Sequence, residues 1–529
     1  VAHDIVFAGA TVVDGTGTPG RRASVGVRGG RIAEIGDHLS GTTTVDAAGL
    51  VLAPGFIDMH AHSDLVLLTE PGHYAKVSQG VTTEVIGQDG LSYAPVDDDT
   101  LAALREQLAG WNGNPDGFDW NWRTVGQYLD RLDAGIAVNA AYLIPQGTVR
   151  MRHVGWDNRP ATADELNGMR TDVADAMAQG AFGMSSGLTY SPGMYADTDE
   201  LVELCQVVAE HGGYYSPHHR SYGAGALDAY AEMIEVSRRS GVPLHLAHAT
   251  MNYPVNAGRA ADLLALLDKA IGDGFDISLD TYPYLPGATY LAALLPSWAT
   301  EGGPAITLRR LADVDIRARI RADVEERGSD GNHGVPVDWA TIEINGVRHA
   351  HHAHLVGHSI HASAARLGVA PGELFLDTQR DDELGTSCLM HVGDETNVRA
   401  IMRHPAHTGG SDGLLVGDRP HPRAWGTFPR YLGHYVRELG VLGLAECVAH
   451  LTSRPARRLG LTDRGVIREG NVADLVLFDP ATVADTATFD EPRQPATGIH
   501  TVLVNGVPVL HDDRPTGALP GHSLRSTRR

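Results

Sequence analysis

Pro54-Gly55-Phe56-Ile57-Asp58-Met59-His60-Ala61-His62 is the stretch on which the reading of this chain turns. Leu50 through Ile57 reads as a buried β-strand, and it ends in two histidines one residue apart. Side chains alternate faces along a strand, so His60 and His62 point the same way, roughly 7 Å apart along the chain. Two neutral imidazoles on one face can converge on a single metal ion such as zinc. A lone pair of this kind is equally compatible with two solvent-facing histidines. What decides between these is whether further ligands stand at the ends of later strands.

Working outward, the middle of the chain alternates strand and helix. Candidate strands follow at Thr82–Gly87, Ala137–Ile144, Gly180–Ser185, Gly213–Ser216, Val242–Ala247, Phe275–Asp280 and His407–Ser411, which makes eight with the first. Helical patterns lie between several of them, at Ala163–Ala178, Thr198–His211, Ala226–Ser240 and Gly258–Gly272. Eight short, mostly apolar strands alternating with helices predict an α/β fold, a (β/α)₈ TIM-like barrel. Residues 1–53 and 463–529 instead carry short β segments broken by Gly, Asp and Pro turns. They are expected to form one small β-sandwich built from both chain ends. The barrel then occupies 54–462, with an insertion at about 286–341 expected over its mouth as a lid, and the chain finishes in a polar tail, Ser523–Arg529.

Active sites of such barrels sit at the C-terminal ends of the strands. The first strand ends in His60 and His62, the second in Gly87-Gln88-Asp89-Gly90, the fifth in Ser216-Pro217-His218-His219-Arg220, the sixth in Ala247-His248 and the eighth in Gly410-Ser411-Asp412-Gly413. Four histidines (His60, His62, His218, His248) and two carboxylates (Asp89, Asp412) at strand ends are a metal-site pattern rather than a packing pattern. His219 follows His218 directly and so faces away from the site. The cluster His349, His351, His352 and His354 falls in the irregular region and reads as solvated.

The composition narrows the field. Among 529 residues, 65 Asp plus Glu against 42 Lys plus Arg leave a formal net charge of −23, which disfavours nucleic acid and anionic membrane as partners. No apolar run of about 18 residues is present, so no membrane span is expected. Three widely spaced cysteines imply no disulfide framework, and a cytoplasmic location is expected. The expected partner is a small molecule, and a homo-oligomer is compatible with the chain.

The chain resembles the amidohydrolase superfamily and, within it, the N-acyl-D-amino-acid deacylases (D-aminoacylases). The resemblance rests on Pro54–Asp64 (PGFIDMHAHSD), Gly80–Gly90 (GVTTEVIGQDG), Phe182–Tyr195 (FGMSSGLTYSPGMY), Tyr282-Pro283-Tyr284, Gly410–Gly413 (GSDG) and His421–Arg430 (HPRAWGTFPR). It implies a tightly held metal on residue 89, His218 and His248, and a second, weaker site on His60, His62 and Asp412. The family has cysteine where this chain has Asp89, and with no lysine at a strand end to bridge two metals, Asp89 is the candidate bridging ligand. A carboxylate there widens the expected cofactor from zinc, as one or two ions, to other divalent metals. A carboxylated lysine, the bridge in other branches, is not expected, because the only lysines, Lys76 and Lys269, lie away from strand ends.

The chemistry implied is hydrolysis of a linear amide, with an N-acyl-D-amino acid or related N-acyl compound as substrate. A bound divalent ion lowers the pKa of water from about 15.7 towards 7, and Asp412 serves as general base and then acid. By the same resemblance Arg423 grips the substrate carboxylate, with Tyr282 assisting and Tyr190 among the substrate-binding residues. Two family contacts are altered: a lysine becomes Thr250, and a serine falls near Ala288. The third strand ends in Gln146-Gly147-Thr148 where the family often has His-Gly-Thr. Two other readings remain open on the sequence: a cyclic-amide hydrolase of hydantoinase or dihydropyrimidinase type, and a metal-free binding protein of the same fold.

Overall fold

A computed structural model describes residues 2–528. Among these, eight parallel strands form the central barrel: β1 (Phe56–Asp58), β2 (Val81–Ile86), β3 (Asn139–Pro145), β4 (Gly183–Gly187), β5 (Tyr214–His218), β6 (Leu244–Leu246), β7 (Ile277–Thr281) and β8 (His407–Gly409). They lie side by side in chain order. The seam between first and last is stitched by the Met59 N–H donating to Gly409 O (3.1 Å) and the Asp412 N–H donating to His60 O (2.8 Å). Closure of the barrel therefore itself brings His60 beside Asp412. Every residue of β2 and β3 is buried, as strands covered on both faces require. The outer helices start where short polar side chains satisfy their first N–H groups. Thr162 and Glu165 form a reciprocal cap on Ala163–Ala178, and Asp197 caps Thr198–Glu210.

The stretch Leu50–Ile57, expected as one strand, is two. Val51–Pro54 belongs to a different sheet, pairing antiparallel with Leu475–Phe478 and parallel with His3–Val12. The break falls at Gly55, where a Cβ would stand 2.2 Å from the Thr82 side chain. Only glycine lets the chain pass that close as it steps from one sheet to the other. His60 and His62 thus lie beyond the end of β1 rather than on it. The sheet that receives Val51–Pro54 has nine strands and unites the two ends of the chain in one β domain.

The excursion between β7 and β8 is longer and more ordered than the irregular composition of 286–341 suggests. Gly287–Tyr290, Ile342–Gly346, His358–Ser359 and Ser387–Met390 form a four-stranded sheet around its own apolar core, including Leu291, Ile344, Phe375 and Cys388. Its first strand pairs with its last across about a hundred residues of chain, a non-local contact that leaves little local periodicity to read. The terminal tail is also tied down. The Leu524 N–H donates to Ala140 O, and Ser523 bonds Asp133, so the tail packs against β3.

Lys76 is fully buried in the short helix Tyr74–Val77. Its ammonium donates to Asp58 Oδ2 (2.6 Å) and Ser411 Oγ (2.7 Å) and lies 3.0 Å from Glu84 Oε1. Asp58 Oδ1 in turn accepts the N–H groups of His60 and Ser411. One buried cation thereby fixes the ends of β1 and β8 from below. Burial opposes its charge, but Asp58 and Glu84 outweigh that and raise its pKa. Removing one partner of a buried ion network leaves charges unpaired, so Lys76→Met is expected to cost about 3–5 kcal/mol in urea unfolding. A loss below about 1 kcal/mol would show that the network does not support the fold.

Glu84 gives a pH signature. Burial opposes its ionisation, yet His73 and Lys76 draw its pKa from 4.5 down to about 2. A depressed carboxyl stabilises the fold fully above its unfolded value and loses that contribution as pH falls through its folded value. Stability should therefore decline between about pH 4.5 and 2 with a steeper slope than in Glu84→Gln, measured by unfolding midpoints across that range.

Candidate metal centre

The turn after β2 carries Asp89 into the barrel mouth. Gly187 at the end of β4 permits this, because a Cβ there would fall 2.0 Å from Asp89 O. Asp89 adopts φ +54°, His248 φ +31° and Asp412 φ +48°. Non-glycine residues in this region cost about 1–3 kcal/mol each and are retained where surrounding structure enforces them. Half of the six sequence-predicted ligands thus sit in strained backbone.

The six converge. The Nε2 atoms of His60 and His62 are 3.3 Å apart, and His62 Nε2 is 3.1 Å from Asp412 Oδ1. His218 Nδ1 lies 3.0 Å from His248 Nε2. Asp89 sits between these sets. Its Oδ1 is 3.5 Å from His60 and 3.4 Å from His248, and its Oδ2 is 3.5 Å from His62 and 3.6 Å from His218. Two buried groups of donor atoms result, His60–His62–Asp89–Asp412 and Asp89–His218–His248, sharing Asp89. Asp89 Oδ1 and His60 Nδ1 are buried without a hydrogen-bond partner. Imidazole nitrogens and carboxylate oxygens without a thiolate fit divalent zinc and its borderline neighbours.

The electrostatics suit a cation. Burial opposes the ionisation of Asp89, but His60, His248 and His218 hold its carboxyl well below the usual range. Burial likewise opposes Asp412, and Arg423 followed by His60 keeps it ionised far below its ordinary value. Burial lowers the pKa of His218 despite Asp89, which favours the neutral imidazole that binds metal.

Arg423 opens the helix Arg423–Arg430 and is completely buried. Its Nη2 lies 2.9 Å from Asp412 Oδ2, its guanidinium stacks 4.3 Å from the Tyr282 ring centroid, and its Nε and Nη1 have no hydrogen-bond partner. Tyr282 lines the cavity, and burial pushes its hydroxyl up to about 12. Tyr190 also lines the cavity, its ring 4.8 Å from that of His218, while its hydroxyl bonds Thr289 Oγ1 (3.0 Å). Thr250 and Ala288 line the same cavity. Gln146 turns away to Glu200. His219 packs between Tyr222 and Tyr230 outside the ligand groups, and His349–His354 lie on and beside the short helix Ala350–Leu355.

Two residues the sequence reading passed over touch the centre. Asp280, at the end of β7, accepts the His248 N–H (2.9 Å) and bonds His245, with Oδ2 3.7 Å from His60 Nδ1. A carboxylate closing the candidate strand Phe275–Asp280 was the available signal. His333, from the insertion, also lines the cavity, and its Nδ1 accepts the Tyr222 N–H. No local pattern marks it, because only the folded-back insertion brings it there.

A (β/α)₈ barrel with two carboxylate-linked groups of imidazole and carboxylate donors at its mouth is the framework of a metal-dependent hydrolase. Comparison with known proteins specifies it. A family model described as the amidohydrolase family matches residues 43–510. The chain is 37% identical to the D-aminoacylase of Alcaligenes xylosoxydans xylosoxydans, covering 99% of this chain and 98% of that protein. It is 36% identical to the N-acyl-D-glutamate deacylase of the same organism, over 99% and 96%. A crystal structure of N-acyl-D-glutamate deacylase from Bordetella bronchiseptica, complexed with zinc and a phosphonate inhibitor that mimics the tetrahedral intermediate, superposes with a TM-score of 0.84 at 34% identity, over 99% of this chain and 100% of that one. The chain belongs to the amidohydrolase family, in its N-acyl-D-amino-acid deacylase branch, and is a hydrolase acting on amides. Likeness to D-hydantoinase, at 16% identity and TM-score 0.55, shows the shared fold.

The shared position of Asp89 has a direct consequence. Asp89→Asn should lower bound divalent metal in both groups, whereas His218→Ala should spare the group built on His60, His62 and Asp412. Metal content by mass spectrometry after dialysis checks this. Equal metal content in Asp89→Asn and the parent chain would remove Asp89 from the centre.

Proposed function

We propose that this protein hydrolyses N-acyl-D-amino acids, with zinc, as one or two ions, or another divalent metal as its cofactor. The observation that carries the reading is the two-group donor set joined through Asp89, with Asp412 held ionised beside Arg423. A divalent ion bound by these residues supplies Lewis acidity, acidifying water and polarising the amide carbonyl. The remaining work falls to the chain. Asp412 accepts a proton from the attacking water at a carboxylate oxygen as the water oxygen adds to the acyl carbon. It returns that proton to the amide nitrogen as the C–N bond breaks, releasing a carboxylic acid and an amine. Arg423, with the cavity-lining Tyr282 against its face, is the cation for the substrate carboxylate.

The environment of Lys76 supports a linear-amide hydrolase over a lysine-bridged cyclic-amide enzyme. Its ammonium is locked to Asp58, Glu84 and Ser411, and Asp89 is the residue common to both donor groups. The relatives named above are themselves deacylases of D-amino-acid derivatives.

Chelator-stripped protein, reloaded with zinc or with manganese, should release amine from N-acetyl-D-amino acids and not from their L counterparts. Asp412→Asn should reduce kcat by about 10²–10⁴-fold, the range for a general acid–base group, and Arg423→Ala should raise KM and also lower kcat, because Arg423 is the charge partner of Asp412. Equal release from the L series, or full activity in Asp412→Asn, would overturn the assignment.

A further inference from the structure

A second cavity adjoins the metal centre and has no part in the chemistry above. It encloses about 280 Å³, against about 80 Å³ for the cavity over the metal centre. Its walls are largely apolar: Trp156, Met194, Tyr290, Leu295, Leu308 and Leu384. Thr189 and Ala293 line both cavities, so the two meet at these residues. Thr189 Oγ1 is 2.7 Å from His218 Nε2, which puts the junction against the metal centre itself. At the far end, partly exposed Arg348 pairs with Glu106 (3.1 Å) and Glu383 (3.6 Å).

The barrel gives this chamber an orientation. Thr189 follows β4, while Asp412 and Arg423 follow β8 and Tyr282 follows β7. In eight strands arranged in chain order, the ends of β4 and β8 face each other across the mouth. A substrate whose carboxylate is held on the Arg423 side and whose amide lies over Asp89 directs the other substituent of that amide, the acyl group, towards β4. An acyl chain longer than acetyl would extend towards Thr189 and Ala293, which line both cavities.

We propose that this chamber is the acyl-binding site and that the preferred substrates carry an extended apolar acyl chain rather than acetyl. The proposal rests on the deacylase reading, and its test separates the two. Metal-loaded full chain is assayed with N-acetyl-, N-butanoyl- and N-octanoyl-D-leucine, and with N-acetyl-D-2-aminodecanoate, in which the long chain is on the amino-acid side. Burial of each methylene is worth roughly threefold to fourfold, so kcat/KM for octanoyl should exceed that for acetyl by at least tenfold, mainly through KM. Leu308→Trp, and independently the exposed wall residue Ala305→Trp, should collapse the octanoyl-to-acetyl ratio to near one. Acetyl turned over as fast as octanoyl, or a gain that follows the amino-acid chain instead, overturns the chamber's assignment while the deacylase reading stands. Absence of turnover for every N-acyl-D compound overturns both.

Discussion

The centre depends on one carboxylate being shared. Asp89 faces four imidazoles, two on each oxygen, at 3.4–3.6 Å, and no other side chain belongs to both donor groups. Sharing requires the carboxylate to reach past its own strand, and the chain achieves this with a left-handed Asp89 backbone pressed onto a glycine at the end of β4. A thiolate at this position would present one ligand atom; a carboxylate presents two, each turned towards a different pair of imidazoles. The backbones of two of the histidines are held in turn, the His248 N–H by Asp280 and the His60 N–H by Asp58, so carboxylates fix the loops that present these ligands.

What the sequence disclosed follows from what is local. Apolar runs alternating with amphipathic segments declare a parallel barrel, and polar residues at the ends of those runs stand out because nothing in packing calls for them. His60, His62, Asp89, His218, His248 and Asp412 were readable for that reason, and the structure gathers them within one site. Lys76 was invisible in its role, since a lysine in the middle of a short helical turn looks like surface. Its burial follows from partners at positions 58, 84 and 411. Gly55 misled differently. A glycine inside an apolar run resembles a strand interior, and the step between two sheets appears only when Thr82 is known to lie against it.

The insertion shows the same limit on a larger scale. Its sheet pairs residues 287–290 with 387–390, a pairing across about a hundred residues that no local pattern announces. Yet this element contributes Leu294, Met390 and His333 to the cavity. The barrel supplies the reacting groups on rigid strand ends, and the excursion supplies much of the wall that a substrate would meet. The ligating groups and much of the cavity wall are thereby carried by different parts of the chain.

The step at Gly55 bears on how the molecule is made. Val51–Pro54 is an interior strand of the β domain only when Leu475–Phe478 lies beside it, and the next residues lead directly into the first histidine pair. During synthesis more than four hundred residues must emerge before that partner exists. Long-range pairings of this kind form late, after local helices and neighbouring strands. The segment bearing His60 and His62 therefore acquires its final anchorage near the end of folding, which orders the two donor groups in time. His218 and His248, on adjacent strands in mid-chain, can be framed early, and the pair at the barrel seam is completed last.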